Sequence, residues 1–144
     1  MFFSSITEQG AAPALVKSLA FDEARLKMIA ENVANAETPG YRAKQLDVAA
    51  FRSSLREALE ARRGDPAKPF ELKAGREVRT DAQGNLQVTP SEKPVDNVLF
   101  HDGTNVSIER QMADLAETGL MHDLATRLLQ NRMDGLRKAI RGTV

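Results

Sequence analysis

Apolar residues along this chain fall into two long helical stripes, held apart by a stretch dense in Pro and Gly. In the first stripe, Leu15, Leu19, Leu26, Ile29, Val33 and Ala36 recur at three- and four-residue steps or their sum, interrupted by Asp22. That spacing places them along one side of a helix over 12–36. In the second, Ile108, Met112, Leu115, Leu129, Met133, Leu136 and Ile140 share a line, with Gly119, His122 and Thr126 in its middle, predicting a helix over 107–140. Ser107 supplies an N-cap hydroxyl, although Arg110 stands where a capping box would carry an acid. Phe51, Leu55 and Leu59, four apart, predict a further helix over 44–63. Residues 64–105 hold Pro66, Pro69, Gly75, Gly84, Pro90, Pro94 and Gly103, a density that favours turns and short strands. Strands are expected over 71–73, 77–79 and 86–89, with a hairpin turn at 81–85. The chain thus divides into 1–43, 44–63, 64–105 and 106–144. The expected fold is mainly α: the terminal helices pair as an antiparallel, coiled-coil-like hairpin, with a small irregular, β-containing middle.

Composition sharpens this picture. The 144 residues are 42% hydrophobic but only 5% aromatic, without Trp, so large core residues are scarce. A large apolar side chain left in water forfeits roughly 1.5–3 kcal/mol, so stripes this long call for partners and predict oligomerisation. Net charge is zero, 20 basic against 20 acidic, which argues against nucleic acid as a partner. The distribution is uneven. Asp102, Glu109, Asp114, Glu117 and Asp123 precede Arg127, Arg132, Arg137, Lys138 and Arg141, with Arg110 and Asp134 as the exceptions. This polarity complements a helix dipole at ~0.3–1 kcal/mol per well-placed charge. It equally suits contacts between subunits, and both readings stand.

Catalytic chemistry finds no support in the residue patterns. There is no Cys, which removes thiol nucleophiles, thiolate metal sites and disulfides together. His101 and His122 lack a second ligand at metal-binding spacing. No Gly-x-Ser-x-Gly elbow or phosphate-binding glycine loop occurs. The reading is a protein that is not an enzyme and carries neither cofactor nor metal. Met1 to Ile6 lacks the basic start and apolar run of a cleaved signal, and no stretch reaches the length of a membrane span.

The first helix runs into Asn32-Val33-Ala34-Asn35-Ala36-Glu37-Thr38-Pro39-Gly40-Tyr41-Arg42. Pro39 lacks an N–H and disfavours helix at Thr38, so the helix must stop. Pro-Gly suits the centre of a type II turn, which places Gly40 at positive φ and makes it more sensitive to Val than Gly10. Asn32 and Asn35 carry amides able to bond to the last helical carbonyls or to the turn.

This string resembles the signature of the flagellar axial proteins, the rod and hook components, whose N-terminal helix ends in Asn-x-x-Asn and Thr-Pro-Gly-Tyr. A second segment, Asp102-Gly103-Thr104-Asn105-Val106-Ser107-Ile108-Glu109-Arg110-Gln111-Met112-Ala113-Asp114-Leu115-Ala116-Glu117, with Leu120-Met121 and Arg127-Leu128-Leu129 beyond it, is similar to the C-terminal signature of proximal-rod proteins of that family. His122-Asp123 and Gly119 depart from its usual pattern. The resemblance implies a structural subunit of the bacterial flagellar basal-body rod, exported through the type III apparatus and located on the periplasmic side of the inner membrane. Its partners would be copies of itself, other rod proteins, and the membrane ring at the rod base with its adaptor. Its terminal helices would form the axial tube that transmits torque and surrounds the export channel. Phe2 and Ile6 fit a Phe-x-x-x-apolar element read by the export gate; they equally suit an assembly contact. The competing reading is a cytosolic helical adaptor or chaperone that holds a partner through the same hairpin.

Overall fold

The computed structural model describes residues 10–65, 68–92 and 107–142. Helix α1, Ala12–Ala34, begins with Pro13 in its first turn, where a missing N–H costs nothing, and closes on Asn35. Helix α2 spans Val48–Gly64 and α3 spans Ile108–Arg141. Strands β1, Val78–Thr80, and β2, Leu86–Val88, form an antiparallel hairpin with Arg79 opposite Gln87. The architecture is mainly helical, with α1 and α3 packed lengthwise and a small two-stranded sheet between them in sequence.

The helices pair antiparallel, since the end of α1 at Asn32 meets Gln111 while Gly10, just before α1, meets Arg132. The hydrophobic core lies where α1 meets α2 and the hairpin. Phe21, Met28 and Ile29 of α1 pack with Leu46, Phe51, Ala58 and Leu72, and Phe70, Val78, Leu86 and Val88 close around them. Phe21 and Phe51 stack with ring centroids 4.0 Å apart and planes within 1°. A stacked pair of this kind adds about 0.5–1.5 kcal/mol beyond the area it buries.

Two expectations are corrected by the backbone. The second helix starts at Val48, not at residue 44, because the residues before it are held elsewhere. Lys44 is bonded to Asn32, Gln45 bridges Ser91, and Asp47 acts as N-cap, accepting from the Ala50 N–H at 2.8 Å. Residues 71–73 form no strand; Leu72 is buried in the core while the Lys73 N–H donates to the Ser54 hydroxyl at 2.9 Å. The expected hairpin turn is present, closed by Asp81, whose carboxylate accepts from the N–H groups of Gln83 and Asn85. The Asp81 carboxyl is held below its ordinary range, chiefly by the Asn85 N–H.

The hairpin is fastened to the helices by charged groups. Lys17 of α1 donates to the Gly84 carbonyl at the hairpin tip. Its burial lowers the ammonium pKa, against the attraction of Asp81. Glu77 is buried; its carboxylate accepts from the Asp47 N–H at 2.7 Å, the Ser91 hydroxyl at 2.6 Å and Arg76 at 2.9 Å. Burial alone would push this carboxyl up, but the hydrogen bonds from Ser91, Asp47 and Arg76 together hold it below the ordinary value.

Candidate assembly interface

The residues that end α1 form a closed hydrogen-bonded unit. Asn32 is fully buried and uses its whole amide. Nδ2 donates to the Lys44 carbonyl at 2.8 Å and to Oε1 of Gln111 at 3.3 Å. Oδ1 accepts from the Lys44 N–H at 2.9 Å and from the Tyr41 hydroxyl at 3.0 Å. Asn35 works locally, its Nδ2 donating back to the Glu31 carbonyl at 2.8 Å. The Tyr41 N–H donates to the Thr38 carbonyl at 3.1 Å, and Gly40 stands at φ 76°. With Pro39 second and Gly40 third, these are the marks of a type II turn. Burial raises the Tyr41 hydroxyl pKa, moderated by Lys44 and reinforced by Glu31 and Glu92.

Gly40 is not special in the way the sequence suggests. Gly10 also stands at positive φ, 60°, and a Cβ there would lie 2.7 Å from a guanidinium nitrogen of Arg132, whereas a Cβ on Gly40 would meet nothing within 4 Å. Both positions therefore carry the backbone penalty of a left-handed conformation, and at Gly10 the flexible end of Arg132 must also shift.

The face of α3 that meets α1 is only in part the apolar stripe: Leu129 and Leu136 lie on its line, whereas Ile108, Met112 and Leu115 lie off it. Thr118 is fully buried and Ala125 nearly so, while Gln111 and Asp114 reach across to Asn32 and Arg25. The Thr118 hydroxyl donates to the Asp114 carbonyl at 2.6 Å, which satisfies it within its own helix and permits close packing. Ile108, Met112, Leu115 and Ile140 stay exposed, and Leu129, Met133 and Leu136 are half-buried. On α1, Ile29 is buried; Leu15, Leu19, Leu26 and Val33 are half-buried, flanking a line of Phe21, Arg25, Met28 and Asn32. The first half of α3 thus meets α1 through a polar and small-residue seam, and Leu129 and Leu136 continue its line in the second half. Large apolar residues cannot occupy α3 opposite Arg25 and Asn32 without stranding those polar groups. The alternating spacing of Phe21, Arg25, Met28 and Asn32, matched by Gln111, Asp114 and Thr118, is the signal that marks this seam in the sequence.

A second polar centre lies where all three helices approach. Arg25, with its side chain 10% exposed, pairs with Asp114 at 3.0 Å and Glu117 at 3.7 Å, and Arg52 of α2 pairs with Glu117 at 3.1 Å. Asp22 sits beside them. Burial raises its carboxyl pKa, a rise moderated by His122, Arg25 and Arg52 and reinforced by Glu117. Among the described residues, no group of three His, Cys, Asp or Glu is placed to hold a metal ion, and no helix is long and apolar enough to cross a membrane. Phe2 and Ile6 lie outside the described residues, as does His101.

Comparison with known proteins falls on the same features. Residues 19–42, from mid-α1 through the turn, match a family described as flagella basal body rod protein. The chain is 31% identical over 128 residues to the flagellar basal body rod protein FlgB of Cereibacter sphaeroides strain ATCC 17023, covering 88% of this chain and 90% of that one. It is 23% identical over 125 residues to the FlgB of Salmonella typhimurium, covering 82% and 83%. With the FlgB of Escherichia coli K12 the identity is 26% over 113 residues, covering 78% and 79%.

Proposed function

The chain belongs to the FlgB family of flagellar basal body rod proteins, structural subunits of that rod, and we propose that its α1–α3 pair packs lengthwise with neighbouring subunits into the proximal rod. The tube so formed transmits torque and surrounds the export channel. The subunit reaches the periplasmic side of the inner membrane through the type III export apparatus. There it joins copies of itself, other rod proteins, and the membrane ring with its adaptor.

The observation that carries this reading is the exposed apolar surface of α3. Ile108, Met112, Leu115, Leu120, Met121, Leu124 and Leu128 are each more than a third exposed on one helix. The α1–α3 contact leaves them for other partners. Leu129 and Leu136, half-buried, lie instead on the line of Thr118 and Ala125, with Met133 at its edge, and Ile140 is exposed beyond them. The turn serves a different purpose: Asn32, Asn35, Thr38, Pro39, Gly40 and Tyr41 fix how the chain leaves α1, and so set where α2 and the hairpin sit beside the tube.

Fractionation tests the proposal. The chain is expected to co-purify with detergent-extracted hook–basal bodies and to resist salt washing. Recovery only in the soluble fraction, bound to a single partner, would overturn it in favour of the adaptor reading.

A further inference from the structure

A cleft of about 220 Å³ opens between the three helices. Leu15 and Asp22 of α1, Leu55 of α2, and Met121, Leu124 and Leu128 of α3 line it. Arg52 and Glu117, paired at 3.1 Å, bridge α2 and α3 near one end. The other end, at Leu15 and Leu128, lies at the first turn of α1. Met121, Leu124 and Leu128 are 44, 53 and 47% exposed, so the α3 wall of the cleft is only partly covered.

The chain enters α1 at this same end. Gly10 stands at φ 60°, a left-handed conformation that cannot continue a right-handed helix, so the chain ahead of it turns off the axis of α1. Gly10 also lies against the guanidinium of Arg132, one helical turn beyond Leu128. From the level of Arg132, Leu128 is about 6 Å and Met121 about 17 Å along α3. Extended chain advances about 3.3 Å per residue, so Ile6 reaches up to about 13 Å from Gly10 and Phe2 up to about 26 Å. Both ends of the cleft are within that reach. The residues available suit an apolar cleft. Phe2 and Ile6, four positions apart, share one face of an extended chain because side chains alternate along it. Their separation there, about 13 Å, is close to the 11 Å or so between the levels of Leu128 and Met121.

We propose that Phe2 to Ile6 of the same chain fold back at Gly10 and occupy this cleft in the free subunit, with Ile6 beside Leu15 and Leu128 and Phe2 beside Met121 and Leu124. The segment then covers part of the apolar surface that assembly uses, and joining a neighbour displaces it. That displacement rests on the assembly reading above; the docking does not.

The absence of Cys lets introduced thiols report one contact at a time. Purified full-length chain carrying Ile6→Cys with Leu128→Cys should oxidise to a faster-migrating monomer whose yield is independent of protein concentration. Met112 is about 30 Å from the level of Arg132, beyond the reach of residue 6, so Ile6→Cys with Met112→Cys should give about ten-fold less of that species. A second readout needs no thiols. Phe2→Ser with Ile6→Ser should make the chain bind several-fold more of an apolar fluorescent dye, and adding Leu124→Ser with Leu128→Ser should remove the gain. Disulfide dimers that grow with concentration would put a second copy's segment in the cleft and overturn the proposal. Equal linkage to Leu128 and Met112 would overturn it too, as would dye binding unchanged by Phe2→Ser with Ile6→Ser. Both readouts use the free chain, so their failure leaves the rod reading intact, and failure to fractionate with basal bodies leaves the docking intact.

Discussion

Asn32 and Lys44 hold each other by two hydrogen bonds, side-chain amide to backbone carbonyl at 2.8 Å and backbone N–H to side-chain oxygen at 2.9 Å. The Asn32 amide thereby pairs with a backbone peptide much as a neighbouring strand would. Twelve residues after the helical asparagine, the chain is returned to the side of α1, with the Thr-Pro-Gly-Tyr turn as the intervening bend. The Tyr41 hydroxyl and Gln111 complete the set, so one side chain ties the turn, the returning chain at Lys44 and α3 together.

Asn32→Ala is therefore expected to cost roughly 2–4 kcal/mol, because it strands the Lys44 N–H and carbonyl away from water. Asn32→Asp should also destabilise, since a carboxylate cannot donate to Lys44 or Gln111. Asn35→Ala, which loses one bond to a helix-end carbonyl, should cost about 1 kcal/mol or less. Denaturant melts of the three variants would check the order; an Asn35 variant as unstable as Asn32→Ala would contradict it.

Gly10→Val and Gly40→Val should each lose about 1–2 kcal/mol from the left-handed backbone they impose on a β-branched residue. The Gly10 variant also displaces the guanidinium end of the flexible Arg132 side chain, a shift that adds little. Chemical denaturation of both variants measures these losses; incorporation into basal bodies tests the separate expectation that Gly40→Val impairs assembly more than Gly10→Val.

The folded Glu77 carboxyl lies below its ordinary value of 4.5. The group thus contributes stability that is present above pH 4.5 and lost as pH falls through the lower, folded-state value. Glu77→Gln should flatten the acid limb of the stability curve below pH 4.5, and thermal melts across that range would show it. Asp22 has the opposite sign: its raised carboxyl favours the protonated form, so its contribution declines as pH rises through the folded-state value. Asp22→Asn should accordingly raise the melting temperature at neutral pH.

Core and surface should separate cleanly. Phe21→Ala removes a buried, stacked ring and should cost about 3–5 kcal/mol of monomer stability. Met112→Asp alters a half-exposed position and should leave the melting temperature nearly unchanged, yet abolish incorporation into basal bodies and motility. Swimming at the normal rate with Met112→Asp would remove α3's exposed face from the assembly.

Export can be tested by where protein accumulates. If Phe2 and Ile6 are read by the export gate, Phe2→Ala with Ile6→Ala should leave the subunit in the cytoplasm. If they make only an assembly contact, unassembled subunit should appear in the periplasm. Immunoblotting of the two fractions decides between these outcomes.

The sequence by itself determined the elements and the bend between them. Periodicity marks α1 and α3 because burial of one helical side imposes a three-to-four spacing on any helix. Pro39 and Gly40 mark the turn because few other residues meet its backbone demands. The Gly84 turn is legible for the same reason. What tertiary structure decided is which side of each helix faces the other. Size and apolarity favour the stripe of Ile108, Met112 and Leu115, but the choice is made by complementarity with α1, whose facing line carries Arg25 and Asn32. Those two need Asp114 and Gln111, and the close approach needs Thr118 and Ala125. The apolar stripe is left outward, where only another molecule can bury it. Likewise nothing local distinguishes Glu77 from a solvated acid. Its role arises from Asp47 and Ser91, thirty and fourteen residues away, which the fold brings to its two oxygens.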